Sequence, residues 1–217
     1  GKVEGFRSRD SLVPDDERRT ATWLARTYFE LARRYATGQG LLVVMSGLTA
    51  SGKSAVAERL GGLLAGTVLS SDAVRKQLAG LGPTTHAYEP FGHGIYSPEW
   101  TQRTYDELMR QAEPVLRAGG CAILDASFLR APERSRAIAM AGQVSARAVI
   151  VECEAPREVL LERLVARQAA GTISDARPEI LEGQLASRQP VKEFPPADHL
   201  RIDTTRDIES ILEATWA

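Results

Sequence analysis

Leu41-Leu42-Val43-Val44-Met45-Ser46-Gly47-Leu48-Thr49-Ala50-Ser51-Gly52-Lys53-Ser54 is the stretch that decides the fold. Its first five residues are an apolar run of the length of a buried parallel strand. Gly47 to Ser54 fits G-x-x-x-x-G-K-[ST], the phosphate-binding loop. Ala55, Val56, Leu60, Leu63 and Leu64 follow with helical spacing, so strand, glycine loop and helix stand in the order the motif requires. Such a loop works through its backbone, whose N–H groups turn inward around phosphate oxygens at a helix N-terminus. The expected nucleotide-binding set is Gly47, Leu48, Thr49, Ala50, Ser51, Gly52, Lys53, Ser54 and Ala55. Within it, Lys53 is expected to reach the β- and γ-phosphates of ATP and Ser54 to hold Mg²⁺.

The 217 residues suit one domain or two small ones, and at 43% hydrophobic the chain can bury a full core. A net charge of −1 leaves no electrostatic footprint for nucleic acid or an anionic membrane. No apolar run approaches the roughly eighteen residues of a membrane span, and the N-terminal Gly1-Lys2-Val3-Glu4-Gly5-Phe6-Arg7 has no signal-peptide apolar region. The expectation is a soluble cytoplasmic protein. Arginine greatly outnumbers lysine and asparagine is absent, so a single further arginine is weak evidence of function in this chain.

On either side of the loop, helical and strand patterns alternate. Residues 1–14 read as a polar lead-in, and Asp15 or Asp16 is placed to cap a helix running to about Ala36. Gly38 and Gly40 end it, giving an N-terminal extension over 1–38 and a phosphate-loop domain over 39–217. Further strands are expected at Thr67–Ser71, Cys121–Leu124, Ala148–Val151 and Leu200–Asp203, with Asp72 and Asp125 directly after the second and third. Helices are expected after Asp72, from Pro98 to about Ala118, from Ala131 to about Ala141, from Pro156, from Pro178 to about Arg188, and from Ile208 to Trp216. This alternation predicts a three-layer α/β fold, a five-stranded mainly parallel sheet covered on both faces, plus the N-terminal helix. Residues 80–98 form a long Gly-, Pro-, His- and aromatic-rich loop of the kind that carries function, and 171–177 are a polar break. Cys121 and Cys153 fall in expected strands; if analogy with other phosphate-loop folds sets those strands on either side of the first, two inter-strand steps of about 9.5 Å are too far for a disulfide.

Absences narrow the chemistry. The chain lacks the Asn-Lys-x-Asp that reads guanine in Ras-type GTPases, and Leu181-Glu182-Gly183-Gln184 falls short of the ABC signature Leu-Ser-Gly-Gly-Gln. Asp125 is followed by Ala126, not by a water-activating Glu, so transfer to another acceptor is the better reading. Phosphoryl transfer needs Mg²⁺, positive charge and a base for the acceptor hydroxyl. Asp72 is the candidate base, and Arg75, one helical turn on, the candidate contact to substrate or transferring phosphate. Asp125 is a candidate to support Mg²⁺ with Ser54, or to orient Arg75. Arg163 and Arg167 share a helix face and are candidates for an arginine-bearing lid, with Arg157 and Arg177 nearby. Arg130 and Arg134 are weaker candidates for acceptor binding. The plainer alternatives are that Asp72 caps a helix, Asp125 caps a loop and the arginines are a solvated face. Tyr88, Phe91 and Tyr96 either close over an acceptor or pin their own loop, and His86 and His93 lack metal-ligand spacing.

Taken together, Gly47–Ser54, Ser70-Ser71-Asp72-Ala73-Val74-Arg75-Lys76, Gly94-Ile95-Tyr96-Ser97, Thr104-Tyr105, Leu124-Asp125-Ala126-Ser127-Phe128, Ala155-Pro156 with Arg163 and Arg167, and Ser174-Asp175-Ala176 resemble a family. They are similar to P-loop kinase domains of the zeta-toxin and polynucleotide-kinase type. The nearest likeness is to the kinase-like domain found C-terminal to aminoglycoside-phosphotransferase-like domains. The resemblance spans roughly residues 40–205 and implies a 2-3-1-4-5 strand order. It also implies ATP and Mg²⁺ as cofactors, Asp72 as the base, Arg75 as a phosphate contact, and Arg163 and Arg167 as lid residues that clamp ATP. An aminoglycoside-phosphotransferase-like domain, fused or separate, is the implied partner. The expected activity is transfer of the γ-phosphoryl of ATP to a hydroxyl of a small molecule. A polynucleotide 5′-hydroxyl kinase and a nucleotide-sensing regulatory module without turnover are the two rivals.

Overall fold

The computed structural model of the chain describes residues 1–82, 85, 92–169 and 178–206. Two helices come first, α1 (Lys2–Arg7) and α2 (Asp15–Thr37). The central elements are β1 (Leu41–Ser46), α3 (Lys53–Leu64), β2 (Thr67–Ser70), α4 (Ser71–Leu78), a 3₁₀ turn at Gly94–Tyr96, α5 (Pro98–Arg117), β3 (Cys121–Asp125) and α6 (Ala131–Gln143). There follow β4 (Arg147–Glu154), α7 (Arg157–Ala169), α8 (Pro178–Ser187), a 3₁₀ turn at Pro196–Asp198 and β5 (His199–Asp203). The strands pair in the order β2-β3-β1-β4-β5, every pair parallel. The expected strand order and the α/β three-layer class are therefore what the chain adopts.

Every residue of β1 is buried, because the strand lies mid-sheet with helices on both sides. Alternate side chains sort to the two faces. Leu42, Val44, Ala122, Leu124 and Ile150 pack with Leu108, Ala112 and Leu116 of α5 and with Ala137 and Ala141 of α6. Leu41, Val43, Met45, Ile123 and Val151 pack with Val56, Ala57, Leu60 and Leu64 of α3. A third cluster joins the phosphate loop to its neighbours: Leu48 and Ala50 meet Leu160 and Leu164 of α7, Leu181 of α8, and Leu129. Because all strands run the same way, Ser46, Ser70, Asp125 and Glu154 finish at one edge of the sheet, with Ser70 directly opposite Asp125.

Several boundaries differ from those expected. The lead-in contains α1, which packs on α2; its central Gly5 and lack of apolar periodicity hid it. Ser70, not Asp72, caps α4, accepting the Ala73 N–H at 3.5 Å, so Asp72 sits free of the cap in the first turn. β4 runs several residues beyond Ala148–Val151, where Glu152 and Glu154 are held by Arg188. Cys121 and Cys153 are buried and form no disulfide, with β1 between their strands. The helix expected at Ile208–Trp216 lies outside the described residues. Among the described residues no helix is long and apolar enough to cross a membrane.

Gly40 precedes β1 where α5 ends, and a Cβ there would lie 2.4 Å from the Leu116 carbonyl oxygen. Gly62 is in the interior of α3 and a Cβ there would meet nothing within 4 Å. Gly40→Ala is expected to destabilise the protein by about 1–3 kcal/mol and Gly62→Ala to stabilise it by about 0.5–1 kcal/mol. Urea unfolding midpoints of the two variants check both signs.

Candidate active site

The phosphate loop leaves β1 at Gly47 with φ +144°, a conformation in which a Cβ would lie 2.5 Å from the Cys153 carbonyl oxygen and 2.7 Å from Ser51 Oγ. Gly52 is left-handed and precedes α3 without any side-chain cap, and the first turn of α3 carries no acidic residue. The opening N–H groups of α3 therefore have no acceptor within the helix and face an uncapped, electropositive N-terminus. The loop is tied from outside. Gly47 N–H donates to Ser127 O at 3.1 Å, Thr49 N–H donates to Gln184 Oε1 at 2.6 Å, and Arg163 Nη1 donates to Ala50 O at 3.2 Å.

Lys53 Nζ donates to Leu48 O at 2.6 Å, so its ammonium lies inside the loop. Burial lowers the Lys53 pKa to about 8, with Asp125 opposing the shift and Arg167 adding to it. The Cys153 thiol, pushed up to about 12 by burial, is uncharged at neutral pH, which leaves Asp125 as the anion facing Lys53. Asp125 is itself buried, and burial raises its pKa against a hydrogen bond from Ser54 and the charge of Lys53. Ser54, Lys53 and Asp125 thus form one group. Of the two roles considered for Asp125, it meets the loop and not Arg75. The uncapped helix, the loop that a Cβ would fill, and a serine hydroxyl beside a carboxylate suit a phosphate with a divalent cation.

At the neighbouring strand end, Asp72 pairs with Lys76 rather than with Arg75. Lys76 Nζ lies 2.9 Å from Asp72 Oδ2; the lysine side chain is 1% exposed and the aspartate 51%. The carboxylate is thus fixed on one side and open on the other. It is also near enough to Asp125 to help raise that group's pKa. Arg75 is buried and donates to Ile95 O, with its guanidinium 5.0 Å from the Tyr96 ring centroid. It braces the Gly94–Tyr96 turn, and its pKa is lowered by that burial. Tyr105, whose pKa burial raises to about 12, bonds Ser127 Oγ at 3.2 Å and accepts the Phe128 N–H at 3.3 Å. It thereby holds Phe128, which sits at φ +40°, and the segment that anchors Gly47.

Arg163 reaches Thr204 Oγ1 at 3.1 Å and the Thr204 carbonyl as well as Ala50, so it joins the loop to the segment after β5. Arg167 is exposed one turn further along α7, within electrostatic range of Lys53. Arg157 pairs on the surface with Glu182. Arg134 is not available to an acceptor: it is fully buried against Glu193 at 2.8 Å, Phe128 O at 3.0 Å and Pro190 O at 2.9 Å. Arg130 lies at the start of α6. His86, Tyr88, Phe91, Ser174, Asp175 and Arg177 lie outside the described residues. Among the described residues no three His, Cys, Asp or Glu side chains gather as a metal site.

Three contributors escape a motif-based reading. Lys76 was visible only as the residue after Arg75, although its i,i+4 spacing from Asp72 is a pairing signal. Gln184 carried no signal, since it meets Thr49 across 135 positions. Tyr105 shows in the sequence only through helical 3–4 spacing and as part of a resemblance, and its hydroxyl contacts depend on the packing of α5 beneath β3.

Phosphate favours the charged form of Lys53, so above pH of about 8 the complex holds a proton that the free protein has begun to lose. Nucleotide affinity is expected to fall as pH rises from about 8 to 9.5, approaching tenfold per unit at the steepest. Lys53→Met is expected to bind more weakly and to lack this fall. Calorimetric titration across that range checks both.

Residues 42–191 match a family model described as an AAA domain. The chain is 33% identical over 148 residues to the uncharacterized protein Rv2004c of Mycobacterium tuberculosis, an alignment covering 68% of this chain and 29% of that protein. The same figures hold for the uncharacterized protein Mb2027c of Mycobacterium bovis, so the chain spans under a third of the length of the curated relatives it matches. Among solved structures, Kti12 of Chaetomium thermophilum with ADP-AlF3 superposes with TM-score 0.60 at 15% identity, covering 80% of this chain and 95% of that one. The APS kinase CysC of Mycobacterium tuberculosis, with AMPPNP and APS, gives 0.55 at 24% identity, covering 81% and 95%. A Janibacter sugar kinase gives 0.57 at 18% identity, covering 81% and 91%. These likenesses establish the fold. The phosphate loop, the parallel sheet and the family match together place this chain in the AAA-domain family, as a kinase-like P-loop domain.

Proposed function

We propose that the chain is an ATP-dependent phosphotransferase that moves the γ-phosphoryl of ATP to a hydroxyl of a small-molecule acceptor. The observation that carries this is the Asp72 carboxylate, fixed by Lys76 and half exposed at the sheet edge that bears the phosphate loop. The opening amides of α3 and the Lys53 ammonium hold the phosphates. Ser54, with support from Asp125, would hold Mg²⁺, which would offset the charge of the phosphate oxygens. Asp72 takes the proton from the acceptor hydroxyl as that oxygen bonds to the γ-phosphorus and the bond to the bridging oxygen of ADP breaks. Arg75 orders the Gly94–Tyr96 turn beside the acceptor, a role that its contacts with Ile95 and Tyr96 support. Arg167 adds positive charge near the phosphates. Arg163 with Thr204 forms the nucleobase end, where Thr204 comes within 3.3 Å of a Cβ at Gly52.

Net charge of −1 weighs against a polynucleotide acceptor. A second reading, a nucleotide-sensing module without turnover, draws support from the relatives' length, of which this chain matches 29%. In that reading, as in the first, the remaining length leaves room for a fused partner such as an aminoglycoside-phosphotransferase-like domain.

ATP consumption with Mg²⁺ separates the two. Wild type and Asp72→Ala would be compared against pools of sugars, aminoglycosides, nucleosides, nucleotide sugars and 5′-hydroxyl oligonucleotides. One pool is expected to raise turnover, and Asp72→Ala to lower it by about 10²-fold or more with ATP affinity retained. Equal ATP binding by both proteins with no pool raising turnover would overturn the kinase reading in favour of sensing.

A further inference from the structure

The Leu48–Thr49 peptide is held from both ends. Its carbonyl accepts from Lys53 Nζ at 2.6 Å, and its N–H donates to Gln184 Oε1 at 2.6 Å. The lysine of a phosphate loop reaches the β- and γ-phosphates, so this peptide lies at the γ end of the loop. Gln184 stands there too, brought by α8 rather than by the loop's own strand or helix.

The placement of α8 is specific. Leu181, three positions earlier and fully buried, packs with Leu48 and Ala50 in one apolar cluster. Arg188, four positions later, bonds Glu152 Oε1 at 2.8 Å and Glu154 Oε1 at 3.1 Å on β4. Spacings of three and four put the three residues on one face, so the loop and the sheet edge fix the register of Gln184 between them. A glutamine offers both an acceptor and two donors on one planar group. With Oε1 committed to Thr49, Nε2 is left to donate, and among the described residues no acceptor meets it.

We propose that Gln184 reads the γ-phosphate, keeping Oε1 on the Thr49 N–H while Nε2 donates to a γ-phosphoryl oxygen, so that the site favours nucleoside triphosphate over diphosphate. This rests on the nucleotide-site reading above and names a residue that selects within that site. It makes α8 the element that responds to whether the third phosphate is present, because the same face is bonded to β4 through Arg188.

Calorimetric titrations of the whole chain with Mg²⁺, using ADP and a non-hydrolysable ATP analogue, test this. Gln184→Leu is expected to weaken the ATP analogue about five- to tenfold and ADP less than about twofold. Gln184→Glu keeps an acceptor for the Thr49 N–H but sets a carboxylate against the γ-phosphate. It is expected to weaken the analogue at least as far, again with the smaller effect on ADP. Equal weakening of both nucleotides in both variants would make Gln184 a brace for the loop only, and no change in either would remove it from the site; each result overturns the inference. A wild type that binds neither nucleotide would overturn the underlying site reading, and the inference with it.

Discussion

The phosphate loop has to leave the opening amides of α3 unpaired, and the surrounding structure supplies the rigidity that unpaired backbone lacks. Gly47 can leave β1 only because it has no Cβ to strike Cys153 and Ser51. Its N–H is taken by Ser127, whose segment Tyr105 holds from below, while Thr49 and Ala50 are taken by Gln184 and Arg163. Three partners from distant parts of the chain thus bond one loop directly, and Tyr105 supports the first of them.

Charge is arranged with the same economy. Asp125, Arg75 and Lys76 are buried and Lys53 is half-buried, and in an ordinary core each would be costly. Here they alternate in sign along the strand ends: Lys53 faces Asp125, and Lys76 faces Asp72. Burial opposes the charge on Lys53 and on Asp125, which pushes their pKa values toward each other. A site held in that condition gains from any polyanion accompanied by a cation, since both buried charges are then better paired.

Much of this was legible in the sequence because parallel strands are apolar runs and their ends are punctuated by Gly or Asp. Leu41–Met45 with Gly47, Thr67–Ser71 with Asp72, and Cys121–Leu124 with Asp125 each find their strand to within one residue, and with them one edge of the sheet. What could not be read depends on side chains that meet across long separations. Arg134 looked like an acceptor contact because it follows Asp125 closely, yet Glu193 and two carbonyls satisfy it in the core. Gln184 looked like nothing. Arg75 read as a phosphate contact, and its contacts with Ile95 and Tyr96, which brace the turn, carried no signal in the sequence. Motifs give the residue and its strand end; the direction of a long side chain is set by neighbours from elsewhere in the chain.

The central claim is transfer to an acceptor hydroxyl rather than to water, and ³¹P NMR of the reaction tests it most directly. With ATP, Mg²⁺ and an acceptor mixture, the account predicts that loss of the γ-phosphorus signal is matched by ADP and by a new phosphomonoester resonance in equal amount. ADP accompanied only by inorganic phosphate, or an ATP spectrum that does not change, would contradict it.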